Sequence, residues 1–269
     1  MMVRVHAALT SKSSKVNVLG REKVRVEPYT RLARIYDFVM SHVDYTGWAE
    51  YLRRIDQRFK AGVNTVLDIS CGTGSLCYEL EKLGYQANGF DYNYEMVLVG
   101  LRKKKAGSRV RLWVADMVHP GLVASPDMIV SVYDSMNYLM ERRQWETCLQ
   151  NVYDALEKGG LYVFDISTLG NSKYVFNRYT QRERNRVASY IRKSRFDARN
   201  SIQKNDFEIR FKSDRNTVYC EEHRQRILPL VEVKEMITRT PFEVLGYFHN
   251  FTFKPGTDTS ERVHFVLRK

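Results

Sequence analysis

The chain has 269 residues, 43% hydrophobic and 28% charged, an ordinary globular composition that excludes wholesale disorder. That length makes one large domain, or one domain with an insertion, whose core needs no disulfide or metal staple. No run approaches the ~20 apolar residues of a membrane span. The net charge of +12 is unevenly spread. Residues 1–27 hold six basic against two acidic residues, residues 171–226 hold fifteen against seven, and the remainder holds twenty-two of each. A neutral body thus carries two basic attachments, suited either to anions such as phosphorylated metabolites and nucleic acid or to simple solvation.

The first segment, MMVRVHAALTSKSSKVNVLG, has no secretion-signal apolar run. It reads as a flexible basic arm, residues 1–27, on a cytoplasmic protein. The four cysteines, Cys71, Cys77, Cys148 and Cys220, form no C-x-x-C pair or zinc spacing and read as small core residues in a reducing compartment.

Residues 28–60 predict two helices, with Leu32, Ile35, Phe38 and Val39 in one apolar stripe and Trp48, Tyr51, Leu52 and Ile55 in another. Asp44 and Thr46 are candidate caps of the second. Strands and helices then alternate: strands over 63–69, 86–90, 110–115, 128–132 and 161–166, with helices over 76–83, 94–105 and 142–158. That rhythm predicts βαβ crossovers and a parallel sheet covered on both faces. It breaks at 168. Residues 187–228 alternate around a Ser213-Asp214-Arg215-Asn216 turn, which predicts an antiparallel meander. A helix over 231–240 stops at Pro241, and strands over 242–248 and 262–267 follow, joined too tightly for a crossover, so they should pair antiparallel.

The chemistry concentrates in Asp68-Ile69-Ser70-Cys71-Gly72-Thr73-Gly74, a glycine-rich turn between a strand and a helix. Gly72 and Gly74 let the backbone turn and approach a ligand, and the helix start presents free N–H groups. Asp91 ends the next strand, where a carboxylate accepts ribose hydroxyls. Asp116 ends the third, where an acid can sit beside an adenine edge. Three acids at three consecutive strand ends outline an adenosine site. The third glycine of G-x-G-x-x-G is replaced by Cys77, and Asp68 would repel a pyrophosphate but suit a ligand bearing a cation. No G-K-[ST] of a nucleotide triphosphate loop is present.

These residues resemble the class I, Rossmann-like S-adenosylmethionine-dependent methyltransferases over roughly 28–170 and 230–269. The glycine motif is matched by Leu67 to Gly74, the second-strand acid by Asp91-Tyr92-Asn93-Tyr94-Glu95-Met96, the third motif by Ala115-Asp116-Met117, and the fourth by Tyr133-Asp134-Ser135-Met136-Asn137-Tyr138-Leu139. Tyr36-Asp37 and Tyr45-x-x-Trp48 are similar to the N-terminal lid of a bacterial small-molecule branch that includes sugar and amine N-methyltransferases. Ser70 departs from the family, which usually has Gly there; its hydroxyl either adds a hydrogen bond or crowds the cofactor tail.

The resemblance implies a doubly wound, seven-stranded, mostly parallel α/β sheet with a C-terminal antiparallel hairpin and an N-terminal helical lid. Residues 28–170 and 229–269 would form the methyltransferase domain, and 171–228 an inserted β-rich cap. It implies S-adenosylmethionine as cofactor, held by Tyr36, Tyr45, Trp48, Asp68, Ser70, Gly72, Gly74, Asp91, Tyr92, Met96, Asp116, Met117 and Tyr133. Aromatic faces suit the sulfonium cation, with packing as the alternative role for Trp48 and Tyr36. Asp134 and His249, beyond the fourth and sixth strands of the sheet, are the candidate bases, with turn-capping and structural roles as their alternatives; His223 lies in the insertion. The insertion rises above the crevice and should select the acceptor, through its arginines and aromatics or with these merely solvating and packing it. The expected activity is methyl transfer to a small anionic or amine-bearing metabolite, by a monomer or homodimer. The rivals are an RNA methyltransferase using the basic segments, a non-catalytic cofactor-binding partner, and a dehydrogenase.

Overall fold

The computed structural model describes residues 15–18, 21–121 and 125–269. Among them the strands form a seven-stranded and a six-stranded sheet.

The larger sheet follows the predicted alternation. Strand β3 (Thr65–Asp68) lies near its centre, followed by α3 (Ser75–Lys82), β4 (Gln86–Asp91), α4 (Tyr94–Arg102), β5 (Leu112–Val114), β6 (Met128–Ser131), α5 (Arg142–Ala155) and β7 (Leu161–Ser167). After α6 (Leu230–Thr238), β12 (Glu243–His249) and β13 (Arg262–Arg268) close it. The order is β12-β13-β7-β6-β3-β4-β5, with β13 antiparallel to both neighbours and the rest of the ladder parallel. Strand β7, Leu-Tyr-Val-Phe-Asp-Ile-Ser, is buried along its whole length, as a strand covered on both faces must be. Trp145 of α5 is fully buried against it and donates its indole N–H to the Leu139 carbonyl at 3.0 Å. From β3 the chain moves outward to β4 and β5, then returns to β6. The loops after β3 and β6 therefore diverge, and a crevice opens at the strand ends between them.

The predicted helices over 28–60 form a short 3-10 turn (Leu32–Ile35), one turn of helix α1 (Tyr36–Val39) and the long α2 (Tyr45–Phe59). Asp44 caps α2, its carboxylate accepting the Gly47 N–H at 2.8 Å. Helix α2 buries Trp48, Tyr51, Leu52 and Ile55, the predicted stripe.

The meander forms as expected: β8 (Tyr179–Arg184), β9 (Ala188–Asp197), β10 (Ile202–Phe211) and β11 (Asp214–Arg226) pair antiparallel in sequence. The flexible arm is corrected. Residues 1–14 and 19–20 lie outside the described residues. Strand β2 (Arg21–Arg25), however, pairs in parallel with β11, from Glu22 opposite Thr217 to Arg25 opposite Cys220, and antiparallel with β1 (Lys15–Val18). Lys23 is ion-paired to Glu208 at 2.7 Å across this sheet. The edge of β11 would otherwise leave backbone groups unpaired.

One face of the six-stranded sheet turns toward the rest of the molecule and changes character along its length. Ala188, Tyr190, Phe207, Ile209 and Phe211 pack against Leu32, Ile35 and Val39. Farther along, the buried inward residues are polar: Ser194, Gln203, Asn205, Glu221, His223 and Gln225. This polar part reaches the loops at the crevice.

Candidate functional site

The glycine turn is held by a carboxylate from the adjacent strand. Asp91 accepts the Gly72 N–H through Oδ2 and the Asn93 N–H through Oδ1, both at 2.8 Å. Gly72 and Gly74 have positive φ, +57° and +73°. A Cβ on Gly72 would stand 3.2 Å from the Met96 Cε and 3.7 Å from Tyr36 Cε1, so a side chain there would fill the cradle. Asp68, 2% exposed, accepts the Ser70 N–H at 3.0 Å. Burial, with the Asp91 charge adding to it, pushes the Asp68 carboxyl up to about 7, and burial also raises Asp91. The backbone amides of Ser70, Gly72 and Asn93 donate to them. A ligand carrying positive charge and paired hydroxyls suits two such buried acids. The donor set therefore fits S-adenosylmethionine.

Tyr36 is placed over this turn by its neighbour. Asp37 accepts the Thr73 hydroxyl at 2.5 Å, and Lys103 bridges Asp37, Thr73 and Ser75, each at 2.8 Å. Lys103 belongs to the site's scaffold and carried no signal in the sequence. The Ser70 hydroxyl is within 3.1 Å of the Ser131 hydroxyl at the end of β6, which ties the two diverging loops together.

Among the other expected cofactor residues, Met96 is buried beside Gly72, and Asp116 is half-buried, accepting the Val118 N–H at 2.8 Å. Met117 is half-buried against the core. Tyr45 opens α2 and is half-buried; burial and nearby charges push its phenol well up. Tyr92, which follows Asp91, is 76% exposed. Trp48 is corrected. It is 3% exposed and stacks on the buried His264 ring of β13, with 4.9 Å between centroids and 4° between planes. That strand is three places from β3 in the sheet, so Trp48 is a core residue of the α2 interface.

The candidate bases are also redrawn. Asp134 ends a tight turn in which Tyr133 and Asp134 both adopt left-handed backbone, φ 62° and 56°. Such residues cost of order 1 kcal/mol each and persist where surrounding contacts impose them. Here the Asp134 N–H donates to Asp165 at 3.0 Å, its carboxylate pairs with Arg262 at 2.7 Å and also accepts from Gln225. Arg262 pairs with the fully buried Asp165 too, and its guanidinium lies 4.6 Å from the Tyr133 ring centre. Burial opposes the Arg262 charge, but Asp165 and Asp134 outweigh it and hold its pKa above the usual arginine range. A carboxylate shared between an arginine and an amide is a scaffold element, not a free base. His249 lies on the crevice side but on the edge strand β12, four places from β3. At ~4.8 Å per strand that is about 19 Å away.

A hydrogen-bonded chain that sequence reading did not assemble lies beside the crevice instead. Glu221, 2% exposed, accepts the backbone N–H groups of Tyr29, Arg31 and Leu32 at 2.7–2.8 Å, and its Oε2 is 3.1 Å from His223 Nε2. His223 Nδ1 is 3.2 Å from the Tyr138 hydroxyl, which is 2.7 Å from that of Tyr29. Tyr29 packs edge-on against Tyr36, with centroids 5.9 Å apart, and the Asn93 amide donates to the preceding Pro28 carbonyl. The chain thus reaches the glycine turn. Burial, then neighbouring charges, push the Tyr29 phenol well up, and burial does the same to Tyr138, so both stay neutral. One signal was available: Glu221, His223 and Gln225 share one face of a strand by period two, yet that face is polar, as a face covering a site would be.

Residues 66–160 match a family model described as a methyltransferase domain. A protein of Geobacillus sp. (strain WCH70) named as a methyltransferase is 26% identical over 245 residues, 90% of this chain and 99% of that one. Among solved structures, an S-adenosylmethionine-dependent methyltransferase from Clostridium acetobutylicum ATCC 824 shares the fold with a TM-score of 0.75 at 21% identity, covering 89% of this chain and 98% of that one. The sugar N-methyltransferase KedS8 from Streptoalloteichus sp. ATCC 53650 does so with a TM-score of 0.72 at 17% identity, covering 98% and 100%. The chain thus carries a methyltransferase domain over residues 66–160 and the fold of S-adenosylmethionine-dependent methyltransferases, with buried acids at the strand ends that fit that cofactor.

Proposed function

We propose that this enzyme methylates a small polar metabolite, amine-bearing or anionic, in the space between the glycine turn and the polar part of the six-stranded sheet. The observation that carries this reading is the pair of direct ties between sheet and crevice loops, His223 to Tyr138 and Gln225 to Asp134. They bound the acceptor space with buried polar side chains. The likeness to a sugar N-methyltransferase over nearly the whole chain supports an amine acceptor.

In this reading S-adenosylmethionine, when bound, supplies an electrophilic methyl group on a sulfonium. Asp91 holds the ribose hydroxyls, Asp68 faces the ammonium of the methionine tail, Asp116 borders the adenine, and Tyr36 and Tyr133 wall the reacting end. The protein's contribution is to hold the acceptor atom in line at roughly 3–3.5 Å from the methyl carbon and to exclude water. The Asp134–Arg262–Asp165 group fixes the turn after β6, so the wall does not shift as substrate binds.

The RNA reading is less well supported. A groove of about 1070 Å³ on the same sheet is lined by Lys23, Arg25, Arg178, Lys193 and Arg195, but also by Glu27, Asp206, Glu208 and Glu222. A track for phosphates would be basic throughout. No helix among the described residues is long and apolar enough to cross a membrane.

The test is transfer from methyl-tritiated cofactor to a panel of small acceptors: glucosamine 6-phosphate, phosphoethanolamine, their unphosphorylated parents, and matching hydroxyl compounds, beside total RNA. Label in an amine or phosphorylated member is expected. Label in RNA alone would overturn the reading.

A further inference from the structure

The hydrogen-bonded chain from Glu221 to Tyr29 has a direction that its chemistry dictates. An ionised carboxylate only accepts, so Glu221 accepts a hydrogen bond from His223 Nε2–H. Three backbone N–H groups also donate to this carboxylate. In the neutral ring Nδ1 is then a bare acceptor, and its partner, Tyr138, must donate to it. With its proton so engaged, the Tyr138 oxygen accepts from Tyr29. Each hydroxyl is thereby polarised inward, and the chain ends at the Tyr29 oxygen, half-buried beside Tyr36 with lone pairs to spare. Tyr29 is pinned there. Its backbone is left-handed, φ 63°, and its N–H is fastened to Glu221 at 2.7 Å.

We propose that Tyr29, Tyr138 and His223, backed by Glu221, form a proton relay that deprotonates the methyl acceptor. This deepens the functional reading above and rests on it. An N–H or O–H acceptor loses one proton as its lone pair forms the new bond to the methyl carbon. The electron pair of the broken carbon–sulfur bond stays on sulfur. The acceptor proton goes to the Tyr29 oxygen, the Tyr29 proton to Tyr138, and the Tyr138 proton to His223 Nδ1. The resulting imidazolium faces the Glu221 carboxylate, and after product departs the proton returns to water by the same path. The titratable and charged groups facing His223 are Glu221 on its own strand, Tyr138 on the turn after β6, Tyr29 ahead of the first helix, and Arg192. Arg192 lies on β9, with its guanidinium held by Asn205, the residue opposite His223.

Two measurements decide. In the free full-length protein labelled with ¹⁵N-histidine, the His223 ring is expected neutral, with Nε2 protonated and Nδ1 bare. A ring protonated at Nδ1, alone or with Nε2, leaves no place for the incoming proton and overturns the relay. With the amine of the tritium panel that is methylated, Tyr29→Phe and Tyr138→Phe should each lower kcat by about 10²–10⁴-fold, with cofactor Kd unchanged by calorimetry. Their remaining rate should climb tenfold per pH unit up to the acceptor's own pKa. Tyr138→Phe discriminates sharply, because it leaves the Tyr29 hydroxyl on the acceptor and cuts only the path behind it. Wild-type kcat in that variant would refute the relay while methyl transfer stood; a panel with no methylated amine or phosphorylated compound would instead count against the proposed function, and the ring spectrum would still judge the relay.

Discussion

Asp91→Asn separates what this carboxylate does for the fold from what it does for the ligand. The side chain keeps its shape, but one of its two acceptor oxygens becomes an NH2 group. Both oxygens are in use, one on Gly72 N–H and one on Asn93 N–H. One of those amides therefore loses its partner, at about 1–3 kcal/mol. The carboxylate is also buried, and burial raises its pKa, so removing the charge returns part of a desolvation penalty. The two effects oppose, and the net destabilisation should be about 1 kcal/mol, a few degrees in Tm at most. Affinity has no such offset. Two ribose hydroxyls donating to a charged carboxylate contribute roughly 1.5–3 kcal/mol each, so cofactor binding should weaken by about 10²–10⁴-fold. Titration calorimetry with S-adenosylmethionine and with the neutral S-adenosylhomocysteine checks this. Both should weaken alike, since they share the ribose. Affinity within threefold of wild type, or a loss confined to the cationic ligand, would refute the ribose assignment.

Asp68, with its carboxyl pushed up to about 7, should make S-adenosylmethionine affinity level above that pH and decline by up to tenfold per unit below it, because the ligand's cation favours the ionised acid; a flat calorimetric profile from pH 6 to 8 would count against it. For the free protein the sign reverses: an acid whose folded pKa is raised favours folding while protonated, so its contribution fades as pH rises from about 4 to about 7. Asp165→Ala should destabilise by about 3–5 kcal/mol in urea unfolding, since it leaves Arg262 buried with Asp134 alone; a loss under about 1 kcal/mol would show the pair to be dispensable. Deleting residues 1–27 removes the β2 ladder and the Lys23–Glu208 pair and should lower Tm by several degrees in a thermal scan. An unchanged Tm would restore the flexible-arm reading.

The parallel sheet was legible because most of its strands are local apolar runs next to helix-period segments, with β4, Gln-Ala-Asn-Gly-Phe-Asp, placed by its neighbours, and the acids at strand ends follow from chain order alone. What escaped depends on partners far away in sequence. Strand β2, Arg-Glu-Lys-Val-Arg, is four charged residues and one valine, indistinguishable from a solvated arm until β11 supplies its partner. Asp134 looked like a free acid because Arg262 and Gln225, which occupy it, come from a later strand and from the other sheet. Trp48 looked like a cofactor wall because it stands beside motif residues, but its ring faces His264. Lys103 ends a helix like any surface lysine, and only the fold brings it onto Asp37 and Thr73.

The parallel pairing of β2 with β11 also sets an order of assembly. Parallel neighbours need a crossover between them, and here the crossover takes up most of the chain, from residue 26 to residue 213. At about 5–20 residues per second of synthesis, β2 waits on the order of 10–40 s on the ribosome for its mate. By then β3 to β5, with the glycine turn and Asp91, have long emerged. The nascent chain thus completes the glycine turn and its carboxylate early, and joins β2 to β11 only well after them.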